Sequence, residues 1–497
     1  MFTIFPGFHI VDSLHAAKAA KRFKTSHYMK MVGCMLLSLA VTLLPLDIFG
    51  IEGLTVIEQR VIALFLFAAT MWLTEALPAW GTSFLIIVIM LLTISDASLA
   101  CFMVEVPADA EYGRLVPYKS LMATLSDPTI MLFLGGFVLA IGMTKTKFDQ
   151  YMAKVLLKPF GTRSEMVLLG FVTVTAIFSA FVSNTATAAM MLTFLIPVLK
   201  VMDDDPKGRI ALALSIPIGA NIGGMATPIG TPPNIIALGY LNETLHIPIT
   251  FGEWMLKMVP LTAFLLFVGW VVLRVMFPFK HKHIHLEIEG ELHKDKQTYV
   301  VIGTFIVTVF LWCFSDLLKL GLNSYIIALI PVASFIVSGL FSRRDLEQIN
   351  WGVLWMVAGG FALGVALNYT RLSSHLVQAI PFGSWSFMIV IVVAVLVCYG
   401  LSNFISNSAT AALLVPILGV VAGAMATGAS AGDSIPVRML VAIAVASSMA
   451  MVLPISTPPN AIAHSTGMIE QKDMVKVGLI MGVVGLVSGV AWLMLVF

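Results

Sequence analysis

Charge is what this sequence has least of. Only 11% of its 497 residues are Asp, Glu, Lys or Arg, against roughly 25% in soluble globular chains, while 59% are hydrophobic and the mean hydropathy is +0.96. That balance excludes an ordinary water-soluble domain and moves the chain into a bilayer. Cysteine is equally sparse: Cys34, Cys101, Cys313 and Cys398 are scattered, with no metal-ligand spacing and no disulfide framework. The net charge of +2 is near neutral and gives no ground to expect a nucleic-acid partner. Catalytic sets are missing too. His464 is the only histidine near a broken apolar stretch and has no evident acidic partner, which weighs against a membrane-embedded hydrolase, so no enzyme is expected.

What the chain does have is apolar stretches of spanning length, recurring from residue 31 to residue 497. Eleven are expected as spans, near 31–49, 57–77, 79–95, 129–144, 209–240, 253–277, 298–316, 323–341, 352–370, 435–464 and 474–497. Two more, about 164–199 and 384–419, are interrupted by Ser-Asn pairs and are expected as re-entrant hairpins. The stretch Met31 to Phe49 is too long for a signal-peptide core and no small-residue cleavage site follows, so it reads as a retained span. Before it, residues 8–24 fit either a short interfacial helix or an unstructured basic tail. Lysine and arginine cluster before the first span and again at Lys145, Lys147, Lys154, Lys158 and Arg163, whereas the loop 97–127 is mainly acidic. This asymmetry predicts a multi-pass inner (plasma) membrane protein with a cytoplasmic N-terminus and the C-terminus outside.

The landmarks repeat. Gly135-Gly136-Phe137 returns as Gly359-Gly360-Phe361. Ser183-Asn184-Thr185 follows the first pair by 48 residues, and Ser406-Asn407-Ser408 follows the second by 47. Thr231-Pro232-Pro233-Asn234 then returns as Thr457-Pro458-Pro459-Asn460. An odd number of crossings between the copies makes them inverted, the usual plan of secondary transporters. The expected fold is all-α and polytopic: an N-terminal segment and first span (1–56), a first repeat (57–278), a cytoplasmic loop (279–297) and a second repeat (298–497).

Backbone breaks inside hydrocarbon persist only where protein buries them or where they line a cavity. The two Ser-Asn tips and the two Thr-Pro-Pro-Asn breaks are such places. Half-helix N-termini present free N–H groups and positive dipole ends to an anion, while exposed carbonyls and Ser or Asn oxygens suit Na⁺. No lysine or arginine sits in either tip or break, so a dianion bound there needs co-bound cations. Paired occluding hairpins suit alternating access better than the continuous pore of an anion channel.

Paired Ser-Asn-Thr tips with paired Thr-Pro breaks resemble the divalent anion/sodium symporter family, over about residues 30–497. The resemblance implies a homodimeric, elevator-type carrier importing C4-dicarboxylates (succinate, fumarate, malate) with sodium ions. It implies one sodium site at Ser179, Ser183, Asn184 and the carbonyl of Gly230, and another at Ser402, Asn407 and the carbonyls of Ile405 and Ser456. It places substrate carboxylates against Ser183, Asn184, Thr185 and Thr231, and against Ser406, Asn407, Ser408 and Thr457, with Pro232 and Pro458 alongside. Ser408 stands where the family usually has threonine, which leaves substrate choice open among dicarboxylate symport, dicarboxylate exchange, and sulfate or citrate transport.

Plainer roles are expected elsewhere. The Gly-Gly-Phe pairs read as helix packing, Asp203-Asp204-Asp205 as a cap for the next span, and the His-rich loop 280–285 as solvated. Glu75, near the end of the second span, reads as a structural pairing residue at a domain boundary.

Overall fold

The computed structural model describes residues 25–107, 110–200, 202, 204–284, 291–379, 385–427 and 434–497. The segment 8–24, Asp203, and His285 of the His-rich loop lie outside them. Among the described residues every regular element is helical, apart from isolated bridges at Ser95–Val116 and Arg163–His283. Hydrocarbon offers the backbone no partner, so each segment closes its own hydrogen bonds. Among the described residues eight helices are long and apolar enough to cross a membrane, from Val56–Thr74 to Gln471–Val496. Seven shorter apolar helices, among them Ala79–Thr93 and Ser434–Ser448, accompany them.

Helices stop where the chemistry of the chain stops them. Ser164–Ser179 and Asn184–Lys200 are separated by four residues, as are Phe387–Ser402 and Asn407–Thr427. Sixteen residues, as in Ser164–Ser179, rise only about 24 Å, short of a hydrocarbon core of roughly 30 Å. Pro206–Gly223 ends in a 3₁₀ turn and the chain resumes helix only at Pro232. Ser434–Ser448 likewise gives way until Pro458. Proline suits both restarts, because the first helical residue needs no N–H partner. The stretch expected as a single span at 323–341 is two helical pieces, Ser324–Ile327 and Leu329–Val337.

The two halves are interlocked. Pro458–Ser465 packs on Asn184–Lys200, and Pro232–Gly239 packs on Asn407–Thr427, so the half-helix after each break leans on the hairpin of the other half. The Gly-Gly pairs are packing points in the same crossed sense. A Cβ at Gly135 would lie 2.0 Å from the carbonyl oxygen of Ala328, and one at Gly359 would lie 2.3 Å from Ser83 Cβ. Only glycine permits approaches that close. At one end of the bundle Lys145 Nζ binds both Asp345 Oδ2 and the carbonyl of Leu340, each at 2.7 Å.

The capping expectation holds for Asp205, whose Oδ1 accepts from Gly208 N at 2.9 Å. Asp204 instead takes Lys280 at 3.0 Å and His281 at 2.8 Å, so this end of the His-rich loop is pinned as well as solvated. The hydrogen bonds from Lys280 and then from His281 hold the Asp204 carboxyl below its ordinary range. Glu75 is different: exposed, in left-handed conformation (φ 49°), and without an ion pair among the described residues. It lines a cavity of about 460 Å³ together with Trp72, Ile405 and Ser406.

Candidate functional site

Four helices begin at one cavity. Asn184–Lys200, Pro232–Gly239, Asn407–Thr427 and Pro458–Ser465 each contribute their first residue to a hollow of about 670 Å³. Ser183, Asn184, Thr185, Thr231 and Pro232 line it from one half, and Ser406, Asn407, Ser408, Thr457 and Pro458 from the other. All the residues expected around the substrate therefore share one space. No described residue lining it carries a charge. The first-turn amides of a helix have no intrahelical acceptor, and each N-terminus carries roughly half a positive charge. All four dipoles turn their positive ends toward the cavity, but the two helices that begin Pro-Pro have no N–H at their first two positions. Ser183 Oγ accepts from Ala186 N at 3.3 Å and Ser406 Oγ from Ala409 N at 3.2 Å, so each tip serine caps the helix that follows it.

The residues expected around sodium behave differently in the two halves. Beside the first tip, Ser179 Oγ lies 2.7 Å from Asn184 Oδ1 and 2.7 Å from the carbonyl oxygen of Ala220. A hydroxyl has one proton, so one of these short oxygen–oxygen approaches has no proton in it, an arrangement a cation relieves. The carbonyl of Gly230 joins them: a Cβ at Gly224 would stand 2.7 Å from Asn184 Oδ1 and 3.2 Å from Gly230 O. At the second tip the oxygens are bare. Ser402 Oγ and Asn407 Oδ1 are buried without a hydrogen-bond partner, which is costly unless something else satisfies them. Ile405 in the tip and Ser456 in the break are buried as well.

The motif asparagines are staples. Asn234 Nδ2 donates to the carbonyls of Gly224 (3.0 Å) and Thr227 (2.8 Å), and Asn460 Nδ2 to those of Met451 (2.8 Å) and Leu453 (3.0 Å). Each closes its own non-helical break. The breaks are tied to the hairpins by matching contacts. Thr227 Oγ1, from the first break, donates to the carbonyl of Ala180. Ser456 Oγ, from the second break, donates to the carbonyl of Asn403 (2.9 Å), and Asn403 Oδ1 also accepts from Val452 N (3.0 Å).

Sequence reasoning missed several lining residues. Gln348, Asn350 and Val353 enter the cavity from the start of Trp351–Tyr369, and Phe133 and Phe137 from Pro128–Lys145. Asn221 also lines it, from within Pro206–Gly223. A buried amide in an otherwise apolar span was the available signal for Asn221; Gln348 and Asn350 lie in a polar loop and offered none.

A family model described as citrate transporter matches residues 69–432. The sodium-dependent dicarboxylate transporter SdcS of Staphylococcus saprophyticus is 30% identical over 494 residues, covering 92% of this chain and 89% of that protein. The protein of the same name from Staphylococcus aureus is 30% identical over 516 residues, covering 97% and 92%. An uncharacterized transporter of Haemophilus influenzae is 32% identical over 445 residues, covering 85% and 88%. Among solved structures, the Alcanivorax borkumensis YdaH transporter superposes with a TM-score of 0.52 at 14% identity, over 76% of this chain and 86% of that one. Neisseria gonorrhoeae MtrF superposes with 0.51 at 13% identity, over 86% and 97%. These two show likeness of fold alone. The match over most of the chain makes this protein a membrane transporter, not an enzyme, of the divalent anion/sodium symporter family that its paired tips and breaks resemble.

Proposed function

We propose that this chain imports C4-dicarboxylates coupled to sodium, with the dianion held in the cavity where the four helix N-termini meet. The observation that carries the reading is a cavity without a single charged residue among its described lining, set between a proton-short oxygen cluster at Ser179 and bare buried oxygens at Ser402 and Asn407. The dipoles favour an anion and the oxygens favour a hard cation. Ser183, Asn184, Thr185, Thr231, Ser406, Asn407, Ser408 and Thr457 are the proposed carboxylate contacts. Sodium is cargo in this scheme, not a resident cofactor. Relatives named as sodium-dependent dicarboxylate transporters support the pairing of the two substrates.

The two halves act as inverted repeats in this proposal. The N-terminus is cytoplasmic, the C-terminus is outside, and two copies form a dimer. Gln348 and Asn350 belong to the same end of the bundle as the Lys145–Asp345 pair, the lysine-rich end, so the cavity faces the cytoplasm here. Return to the other side moves hairpins and split helices together as one body, in the elevator manner, which their crossed packing favours. The test is uptake of labelled succinate into proteoliposomes, with sodium replaced by choline or potassium and with citrate and sulfate as competitors. Uptake that persists without sodium ends the symport reading in favour of exchange, and competition only by citrate or sulfate reassigns the substrate.

A further inference from the structure

We infer that Asn221 is a positioning residue: it fixes the Thr457 hydroxyl as a hydrogen-bond donor aimed at the bound dianion. The inference rests on the dianion reading of the cavity and names a residue through which that site is set. Asn221 is 1% exposed and belongs to the first half, yet its Nδ2 reaches the second break, 3.1 Å from Thr457 Oγ1 and 3.2 Å from Asn460 Oδ1.

The direction of these bonds follows from their neighbours. Asn460 Nδ2 is spent on two carbonyls, those of Met451 and Leu453, which accept and cannot donate. Its oxygen therefore faces Asn221, and Asn221 must answer with its NH₂. Thr457 Oγ1 accepts this amide at 3.1 Å and also the backbone N–H of Asn460 at 3.3 Å. A hydroxyl has two acceptor positions and one proton. Both acceptor positions are filled, and among the described residues Thr457 Oγ1 donates to no acceptor. The proton is left for the cavity that Thr457 lines.

The first half has no counterpart. Ten residues before each motif threonine stand Asn221 and Ser447, and the Ser447 hydroxyl turns back to Ile443 and Ala444 of its own helix, at 2.9 and 3.0 Å. Thr231 makes no side-chain cap contact, so its hydroxyl is free to rotate. Asn221 keeps its orientation although its own Oδ1 is buried without a partner. Only one of the two break threonines is preset as a donor, and the preset one depends on the opposite half.

The test is a double-mutant cycle on purified protein at saturating sodium, with binding of succinate, citrate and sulfate measured by calorimetry. Asn221→Ala and Thr457→Val should each weaken binding about tenfold, as befits one hydrogen bond to a charged group. The double variant should bind no worse than Thr457→Val alone. Thr457→Ser, which keeps the hydroxyl, should restore binding. Asn221→Asp has the same shape but takes the Thr457 proton for itself, and should bind at least as weakly as Asn221→Ala while its melting temperature shows that it is folded. Losses that multiply in the double variant, or an Asn221→Asp protein with wild-type affinity, overturn this inference and leave the dianion reading standing. A wild-type protein that binds none of the three anions overturns both.

Discussion

His375 Nδ1 lies 3.0 Å from Glu58 Oε1, joining residues 317 apart in the chain. The other ring nitrogen, Nε2, is 2.7 Å from the carbonyl oxygen of Glu52. Both nitrogens face acceptors, so the imidazole carries both protons. The second carboxylate oxygen of Glu58 accepts from Thr55 N and Thr55 Oγ1, and the ring of Tyr112 stacks on the imidazole at 4.2 Å. The pair pins the short helix Leu372–Ala379 to the start of Val56–Thr74.

This pair should make stability depend on pH. Burial by itself pushes the His375 imidazolium down, but the Glu52 carbonyl and the Glu58 carboxylate outweigh it, Glu111 adds to them, and the net direction is above the ordinary 6.5. A raised folded value means that the contribution is complete below about 6.5 and fades as pH rises through the folded value. Melting temperature in detergent should fall as pH climbs from 6.5, and His375→Gln should lose that slope. His375→Ala, which strands a buried carboxylate, should cost about 3–5 kcal/mol. Equal pH slopes in wild type and His375→Gln would rule the pair out as the source.

The sequence made the breaks legible because a Pro-Pro pair removes two successive backbone donors and Ser and Asn favour caps and turns over helix interiors. A single proline is weaker evidence, since Pro217, Pro260 and Pro416 lie inside helices. The residues around the breaks were not legible, since their roles come from tertiary partners. Thr227 and Ser456 do the same job from different places in their breaks, four residues and one residue before the motif threonine, so no shared motif marks them. Asn221 gains its meaning from Asn460 and Thr457, more than 230 residues away. Glu75 differs for the complementary reason: an acidic residue at the end of an apolar run invites a partner, yet at its left-handed C-cap it stands exposed in the cavity it shares with Ile405 and Ser406.

Sidedness is testable by labelling. In a protein whose native cysteines are replaced, single cysteines at Lys147 and Lys294 should react with an impermeant reagent only from the cytoplasm, and one at Glu111 only from outside. These positions flank helices in opposite halves, so they report on the inverted relation as well as on the termini. Reaction of the Glu111 position from the cytoplasm would overturn the inverted-repeat assignment.

Gly224 offers a test of the first ion site alone. Seven residues before each motif threonine stand Gly224 and Ala450, so a methyl group is tolerated in the second break and absent from the first. A Cβ at Gly224 would sit 2.7 Å from Asn184 Oδ1 and 3.3 Å from Asn184 Nδ2, closer than carbon and oxygen can pack. Gly224→Ala should displace the Asn184 side chain and weaken sodium binding about tenfold or more, the scale of one lost polar contact to a charge. Gain of a methyl is otherwise mild in a helix terminus, so the melting temperature without sodium should hold. Sodium-dependent stabilisation measured by melting is the readout, and an unchanged sodium response would remove Asn184 from the ion site.

Asn407 allows the coupling itself to be tested. Its side-chain oxygen is buried without a hydrogen-bond partner, whereas the matching oxygen of Asn184 lies 2.7 Å from Ser179 Oγ, so the effect of the ion on one asparagine is cleaner to read at the second tip. An asparagine offers an oxygen to Na⁺ and an NH₂ to a carboxylate at the same time. Sodium that fixes the oxygen also aims the amide, so the substrate should bind well only after the ion has loaded. Linkage then requires the substrate to tighten sodium by the same factor. A coupling of about 1–3 kcal/mol is typical of such pairs of sites. Asn407→Ala should weaken both ligands and flatten the sodium dependence of substrate affinity. Asn234→Ala, which loosens a break without touching this oxygen, should disturb the two ligands less evenly. Calorimetric substrate affinity across a sodium titration separates the cases. If Asn407→Ala loses one constant factor at every sodium concentration, Asn407 contacts the anion alone and the shared-tip mechanism is wrong.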